Sequence, residues 1–174
     1  MSDEFKWAIE RQIPHMRRYA LALTRDRDTA DDMVQDSLER ALRKRHLWHK
    51  RGTLRSWLFR ILYRKCIDHY RRARPETVPA DAEVIDGTLA QPPDQEARID
   101  CRNVCDAVER LPKEQRAVVL LVALEGLPYD EVAEITGTPI GTVRSRLSRA
   151  RDTLRTVRET GSDKERPVKL RMVK

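Results

Sequence analysis

The chain has 174 residues, with 35 Lys and Arg against 28 Asp and Glu for a formal net charge of +7, and a pI near 9.6. Charged residues make up 36% of it and aromatics only 5%, so the length admits one domain or two small ones with modest cores. No stretch approaches the roughly 18 consecutive apolar residues of a membrane span. The N-terminal MSDEFKWAIERQ mixes acids and bases where a secretory signal carries an apolar core, and the expectation is a cytoplasmic chain with no membrane insertion of its own. Three cysteines and four histidines lack the spacing of a zinc set, so neither a metal nor a cofactor is expected. Cys101 and Cys105, four residues apart, read as small hydrophobes buried on one helix face rather than a redox pair.

Charge is unevenly distributed. Residues 1–74 carry 19 basic and 10 acidic side chains, whereas 75–100 carry 1 and 7. The acidic stretch holds four of the nine prolines and no helical apolar period, which marks residues 75–96 as a flexible linker between blocks 1–74 and 97–158. A basic tail, 159–174, follows and reads as an extension. The linker's charge also suits a segment lying in a basic nucleic-acid channel.

In the first block, Ile9, Ile13, Met16, Ala20 and Leu23 recur at helical spacing, predicting one helix over 5–23. Asp28 is positioned to cap a second helix, with Ala30, Met33, Val34, Ser37, Leu38, Ala41 and Leu42 on one stripe. Asp32, Gln35, Asp36, Glu39 and Arg43 point the other way, a mainly acidic face that suits either solvent or protein docking. Thr53 caps a third helix to about Arg72, with Leu54, Trp57, Leu58, Ile61 and Leu62 as its core stripe. Opposite that stripe fall Phe59, Tyr63, Cys66 and Tyr70, beside Arg60, Arg64 and Arg71. Rings next to cations hold single-stranded nucleic acid, because cations track phosphate while ring faces accept unpaired bases. Packing of those rings against the first helix is the equal alternative.

In the second block, Asp94 is placed to open a helix through Ala97, Cys101, Val104, Cys105 and Val108. Pro112 opens another, KEQRAVVLLVALE, stopped at Gly126. Tyr129 to Ile135, a turn at Gly137, Thr138 as cap and Pro139 at the first helical position then form a helix-turn-helix pattern. Ile140, Val143, Leu147, Ala150 and Leu154 make the second helix's core stripe. Thr142, Ser145, Arg146 and Arg149 lie opposite, flanked by Arg144 and Arg151. Between 139 and 158 there are six arginines and one acid, Asp152. Arg donates bidentately to guanine O6 and N7, while Ser and Thr reach base edges or phosphate, as a major-groove helix requires.

These blocks resemble the sigma-70 family, in particular its small extracytoplasmic-function (ECF) members. DDMVQDSLERA (31–41) is similar to the family's region 2.2, LRSWLFRILYRKCIDHYRR (54–72) to regions 2.3 and 2.4, and LPKEQRAVVLLVALEGLPYDEVAEITGTPIGTVRSRLSRAR (111–151) to region 4. The resemblance implies an all-α fold of two small helical domains: a sigma-2 bundle and a sigma-4 helix-turn-helix domain.

It further implies a partnership with core RNA polymerase, through its beta-prime clamp and beta flap, with promoter DNA, and with an anti-sigma factor. Asp32, Gln35, Asp36 and Glu39 would bind core polymerase. Trp57, Arg60, Tyr63, Arg64 and Arg71, with the loop around Trp48 to Arg55, would hold the -10 element. Thr142, Arg144, Ser145, Arg146, Arg149 and Arg151 would read the -35 element.

Where region 2.3 commonly reads Ala-Arg-Asn, this chain has Leu62-Tyr63-Arg64, so no particular -10 base preference carries over. No phosphate-binding Gly-Lys loop, nucleophile elbow or HExxH motif appears, and the expected mechanism is recognition, with no catalytic residue. A mimic that sequesters an anti-sigma factor and a stand-alone helix-turn-helix regulator are the competing readings.

Overall fold

The computed structural model describes residues 3–48, 52–72 and 104–164. The expected linker, the helix start at Asp94, Cys101 and the tail beyond 164 lie outside them. The described residues are helical, with no strand among them. In chain order, α1 is Asp3–Glu10, α2 Ile13–Thr24, α3 Arg27–Arg43 and α4 Leu54–Arg72. Residues 104–109 form α5, followed by α6 Lys113–Val119, α7 Tyr129–Thr136 and α8 Ile140–Lys164. Residues 159–164 of the expected tail therefore continue the last helix.

The single helix expected over 5–23 is two. Pro14 falls in the first turn of α2. It has no N–H to give, and its ring clashes with the carbonyl four residues back, so the chain breaks at Arg11 and Gln12 and restarts. Ile9, Met16, Ala20 and Leu23 are buried as expected and Tyr19 is buried with them, while Ile13 is only half-buried.

The cap of α3 is Asp26 rather than Asp28. Asp26 has extended backbone and accepts the Thr29 N–H at 2.6 Å, while Asp28 sits in the first turn, where its charge complements the helix dipole. Hydrogen bonds from the side chain and backbone of Thr29 hold the Asp26 carboxyl below its usual range.

Thr53 caps α4 as predicted, accepting the Ser56 N–H at 3.0 Å. The far side of α4 is core, however. Phe59 and Cys66 are fully buried and Tyr63 nearly so. Phe59 meets Tyr19 edge-on at 5.5 Å, Cys66 lies 3.5 Å from the Met33 sulfur, and the Tyr70 hydroxyl donates to the Leu23 carbonyl. α4 is the central helix of the first half, buried on both faces, and its ring row packs rather than stacks bases.

In the second half α6 widens into a π-turn over Leu120–Leu124 before Gly126, at φ +64°, ends it. Gly137 closes α7 at φ +67° and donates its N–H to the Ala133 carbonyl. The start of α8 differs by one residue from expectation. The Pro139 carbonyl accepts from Thr142 and Val143, so Pro139 is the cap, and the Thr138 hydroxyl is engaged by Thr136 at 2.8 Å.

α5 meets the rest of the chain through buried Ala107, through Val108 and through an ion pair of Glu109 with Arg25 at 2.8 Å, while Val104 and Cys105 are exposed. Cys105 is thus not the buried hydrophobe expected. A Cβ at Gly137 meets nothing within 4 Å, so Gly137→Ala isolates the cost of the left-handed backbone. Thermal unfolding should show a loss of about 1 kcal/mol.

The two halves pack on each other. α4 lies against α7, and α2 against the π-turn. Buried side chains of both halves form one continuous cluster.

Candidate functional site

The outward face of α3 is acidic because its inner stripe, Ala30, Met33, Val34, Ser37 and Ala41, is buried. Asp32, Gln35, Asp36 and Glu39 are all exposed. Gln35 donates to Glu39 at 3.3 Å, and Asp36 pairs with Lys65 of α4. Asp32 and Asp36 also line a groove of about 590 Å³ shared with Trp57, Arg60 and Arg64, so acidic and basic candidates meet along one cleft between α3 and α4.

Trp57 is half-buried and stacks on Trp48 with ring centroids 6.3 Å apart, and Trp48 in turn meets Phe5 at 5.7 Å. Arg64 and Arg71 are exposed. Arg60 instead pairs with Glu134 of α7 at 3.3 Å. Tyr63 is not an exposed ring. At 8% exposure it lies under the second half, and burial pushes its phenol up while the adjacent Arg146 guanidinium works the other way.

Burial of Val143, Leu147 and Ala150 fixes the rotation of α8. Arg144, Ser145, Arg149 and Arg151 are exposed and Thr142 is half-buried. Ser145 donates to the Thr142 carbonyl at 3.0 Å, and Arg151 donates to the Tyr129 hydroxyl at 3.1 Å, which ties α8 to α7. Arg146, expected on the outward face, is half-buried and turned toward Tyr63.

Sequence reading missed the cluster between the halves. Glu125 follows the π-turn, and its side chain is 0% exposed. Its carboxylate is 3.0 Å from His15 Nδ1, accepts Arg18 Nε at 3.1 Å and Nη2 at 3.0 Å, and accepts Arg55 Nη2 at 2.7 Å. Arg55 also donates to the Glu125 carbonyl at 2.6 Å and Arg18 to the Leu124 carbonyl at 2.9 Å. Glu131 accepts hydrogen bonds from Ser56 and Thr53 at the α4 N-terminus. One sequence signal for Glu125 exists: a lone carboxylate ending the apolar run LLVAL must find its cations elsewhere.

Comparison with known proteins places both halves. Residues 9–63 match the family model described as the Sigma2 domain of PhyR, and residues 102–154 match Sigma-70, region 4. The chain is 34% identical over 154 residues to the ECF RNA polymerase sigma factor EcfG of Rhodopseudomonas palustris, covering 88% of this chain and 84% of that one. The chain belongs to the ECF sigma factors. To SigC of Mycobacterium tuberculosis this sigma factor is 36% identical, over 77% of its own length and 72% of the relative's. Its fold superposes on the sigma factor RpoE of Bartonella quintana, solved in complex with the anti-sigma factor NepR. The TM-score is 0.71 at 31% identity, over 90% of this chain and 97% of that one.

Proposed function

We propose that this ECF sigma factor binds core RNA polymerase in the cytoplasm, reads -35 DNA with α8, holds opened -10 DNA against α4, and so directs transcription initiation. The observation that carries this reading is the exposure of two opposite chemistries on one chain: the acidic face of α3 and the arginines of the second helix-turn-helix helix. Asp32, Gln35, Asp36 and Glu39 dock on the beta-prime clamp, and the second half engages the beta flap. Arg144, Arg149 and Arg151 face duplex DNA with Ser145 and Thr142, and Trp57, Arg60, Arg64 and Arg71 face the melted strand.

The chain acts by recognition rather than catalysis, and the polymerase supplies the nucleotidyl transfer chemistry. Unstacking a base costs a few kcal/mol, which pocket contacts and phosphate pairing offset. Two readers on one chain give avidity that neither has alone. The complex of the B. quintana relative with NepR supports control of this chain by an anti-sigma factor.

Asp36→Arg tests the docking face. Its partner Lys65 is a surface pair, and such pairs contribute little to stability. Unchanged thermal unfolding together with lost co-elution with core polymerase is the expected result, whereas normal assembly removes α3 from the docking face.

A second reading is a mimic that captures an anti-sigma factor without initiating transcription. It is favoured by the match of residues 9–63 to the Sigma2 domain of PhyR, a protein solved from B. quintana as an anti-anti-sigma factor. A mimic has no need of exposed arginines on α8, and transcription by the assembled polymerase separates the two readings.

A further inference from the structure

Three half-buried aromatic rings stand in a row, contributed by segments far apart in the sequence. Phe5 of α1 meets Trp48 with ring centroids 5.7 Å apart and planes at 35°, and Trp48 stacks on Trp57 of α4 at 6.3 Å and 29°. Trp48 follows a single 3-10 turn, Arg45–Leu47, and its N–H donates to the Arg45 carbonyl at 3.1 Å. The row therefore links the first helix, the turn beyond α3 and α4, and its last ring lines the groove between α3 and α4.

The two faces of α1 are differently used. Phe5 and Ile9, four residues apart, share the inward face, with Ile9 buried and Phe5 packed against the core. Trp7 falls on the opposite side, 59% exposed, with the Arg11 guanidinium 4.8 Å from its ring. An aliphatic side chain at position 5 would serve burial as well. What a ring adds there is a flat surface for Trp48.

An indole that offers a face to an unpaired base must already be in place, because binding is weakened by the fraction of molecules in which it is not. Trp57 has Trp48 against one side, and without that neighbour its two side-chain torsions are free to turn the ring away from the groove. Trp48 sits on a short turn rather than on a long helix, and Phe5 is the ring behind it.

We infer that Phe5 is a positioning residue for opening of the -10 element: through Trp48 it holds the Trp57 ring ready to receive a base of the melted strand. This rests on the assignment of α4 to -10 DNA made above. Phe5 acts through Trp57 and touches no nucleic acid itself. Loss of the brace should lower opening about fivefold, the weight of one aromatic pair.

The test uses the full chain assembled with core polymerase on a promoter that it starts, as ordinary duplex and as a heteroduplex mismatched across the -10 element, where the bases are already unpaired. Phe5→Leu keeps apolar volume and removes the ring, Phe5→Tyr keeps the ring, and Trp7→Ala controls for the outer face of α1. Phe5→Leu should co-elute with polymerase as wild type does, lose about fivefold in transcription from the duplex, and come within twofold of wild type on the mismatched template. Phe5→Tyr and Trp7→Ala should transcribe normally. Trp57→Ala should lose at least fivefold on the duplex, and adding Phe5→Leu to it should cost nothing more, since the brace then has nothing to hold.

Normal duplex transcription by Phe5→Leu beside an impaired Trp57→Ala would overturn the inference and leave the -10 assignment standing. A Phe5→Leu defect that the mismatched template does not relieve, or one that adds to that of Trp57→Ala, would make Phe5 merely structural and overturn it too. Normal transcription by Trp57→Ala would instead sink the assignment of Trp57 to the melted strand.

Discussion

Arg149→Ala should weaken use of -35 promoters by about 1 to 3 kcal/mol and relax base preference at one position of that element. Arg149 projects from α8 into solvent, on the side opposite the buried Val143, Leu147 and Ala150. A guanidinium presented in this way can make two parallel hydrogen bonds to guanine O6 and N7, which no other base pair offers in the major groove. Loss of both bonds should therefore affect one base pair selectively rather than all promoters uniformly. Removal of a phosphate contact, as expected for Arg151→Ala, should instead weaken all sequences alike and flatten the salt dependence by about one counterion. Transcription from promoters varied base by base at the -35 element, with melting of the variant measured in parallel, checks both. A surface substitution of this kind should move stability by no more than about 0.5 kcal/mol. Unchanged base preference in Arg149→Ala would remove this residue from direct readout.

Phe59→Ala should cost about 3 to 5 kcal/mol of folding stability. Phe59 is fully buried, its ring meets Tyr19 edge-on, and the Arg55 guanidinium lies over it, 5.6 Å from its centroid. Little in that environment can collapse into the space the ring leaves. Domains of this size have only about 5 to 15 kcal/mol of net stability, so the variant should unfold at much lower urea concentration. Phe59→Leu, which retains most of the apolar volume, should be much milder. The experiment also separates core from base-stacking platform. An exposed stacking ring would give a nearly neutral stability change and a selective loss of single-strand binding, the opposite pattern.

The periodicity of α3 and α8 made both helices legible in the sequence, because each buries one stripe and leaves the other face in water. Asp32, Gln35, Asp36 and Glu39 are exposed together, and so are Arg144, Ser145 and Arg149. The same reasoning was weaker for α4, where Phe59, Tyr63 and Cys66 sit opposite Leu58 and Leu62. A helix buried on two faces shows no single apolar stripe, and an aromatic row then reads equally as a nucleic-acid platform or as core. Local chemistry shifted boundaries in three places. Pro14 split the first helix, Asp26 took the cap from Asp28, and Pro139 took it from Thr138.

What sequence pattern could not supply was the cation set around Glu125. His15, Arg18 and Arg55 are far from it along the chain, and only the packing of α2 on the π-turn and of α4 on α7 brings them together. Arg146 shows the same limit, since its wheel position pointed outward while the neighbouring half claimed it through Tyr63.

The most direct test of initiation is run-off transcription with purified bacterial core polymerase and this chain over fragmented genomic DNA from its source, with the 5′ ends of the products sequenced. Discrete start sites sharing two upstream motifs at fixed spacing are the predicted result, and the downstream motif would define the base preference set by Leu62-Tyr63-Arg64. An absence of starts from polymerase shown by gel filtration to carry the chain would contradict it and turn the assignment toward a mimic of anti-sigma targets.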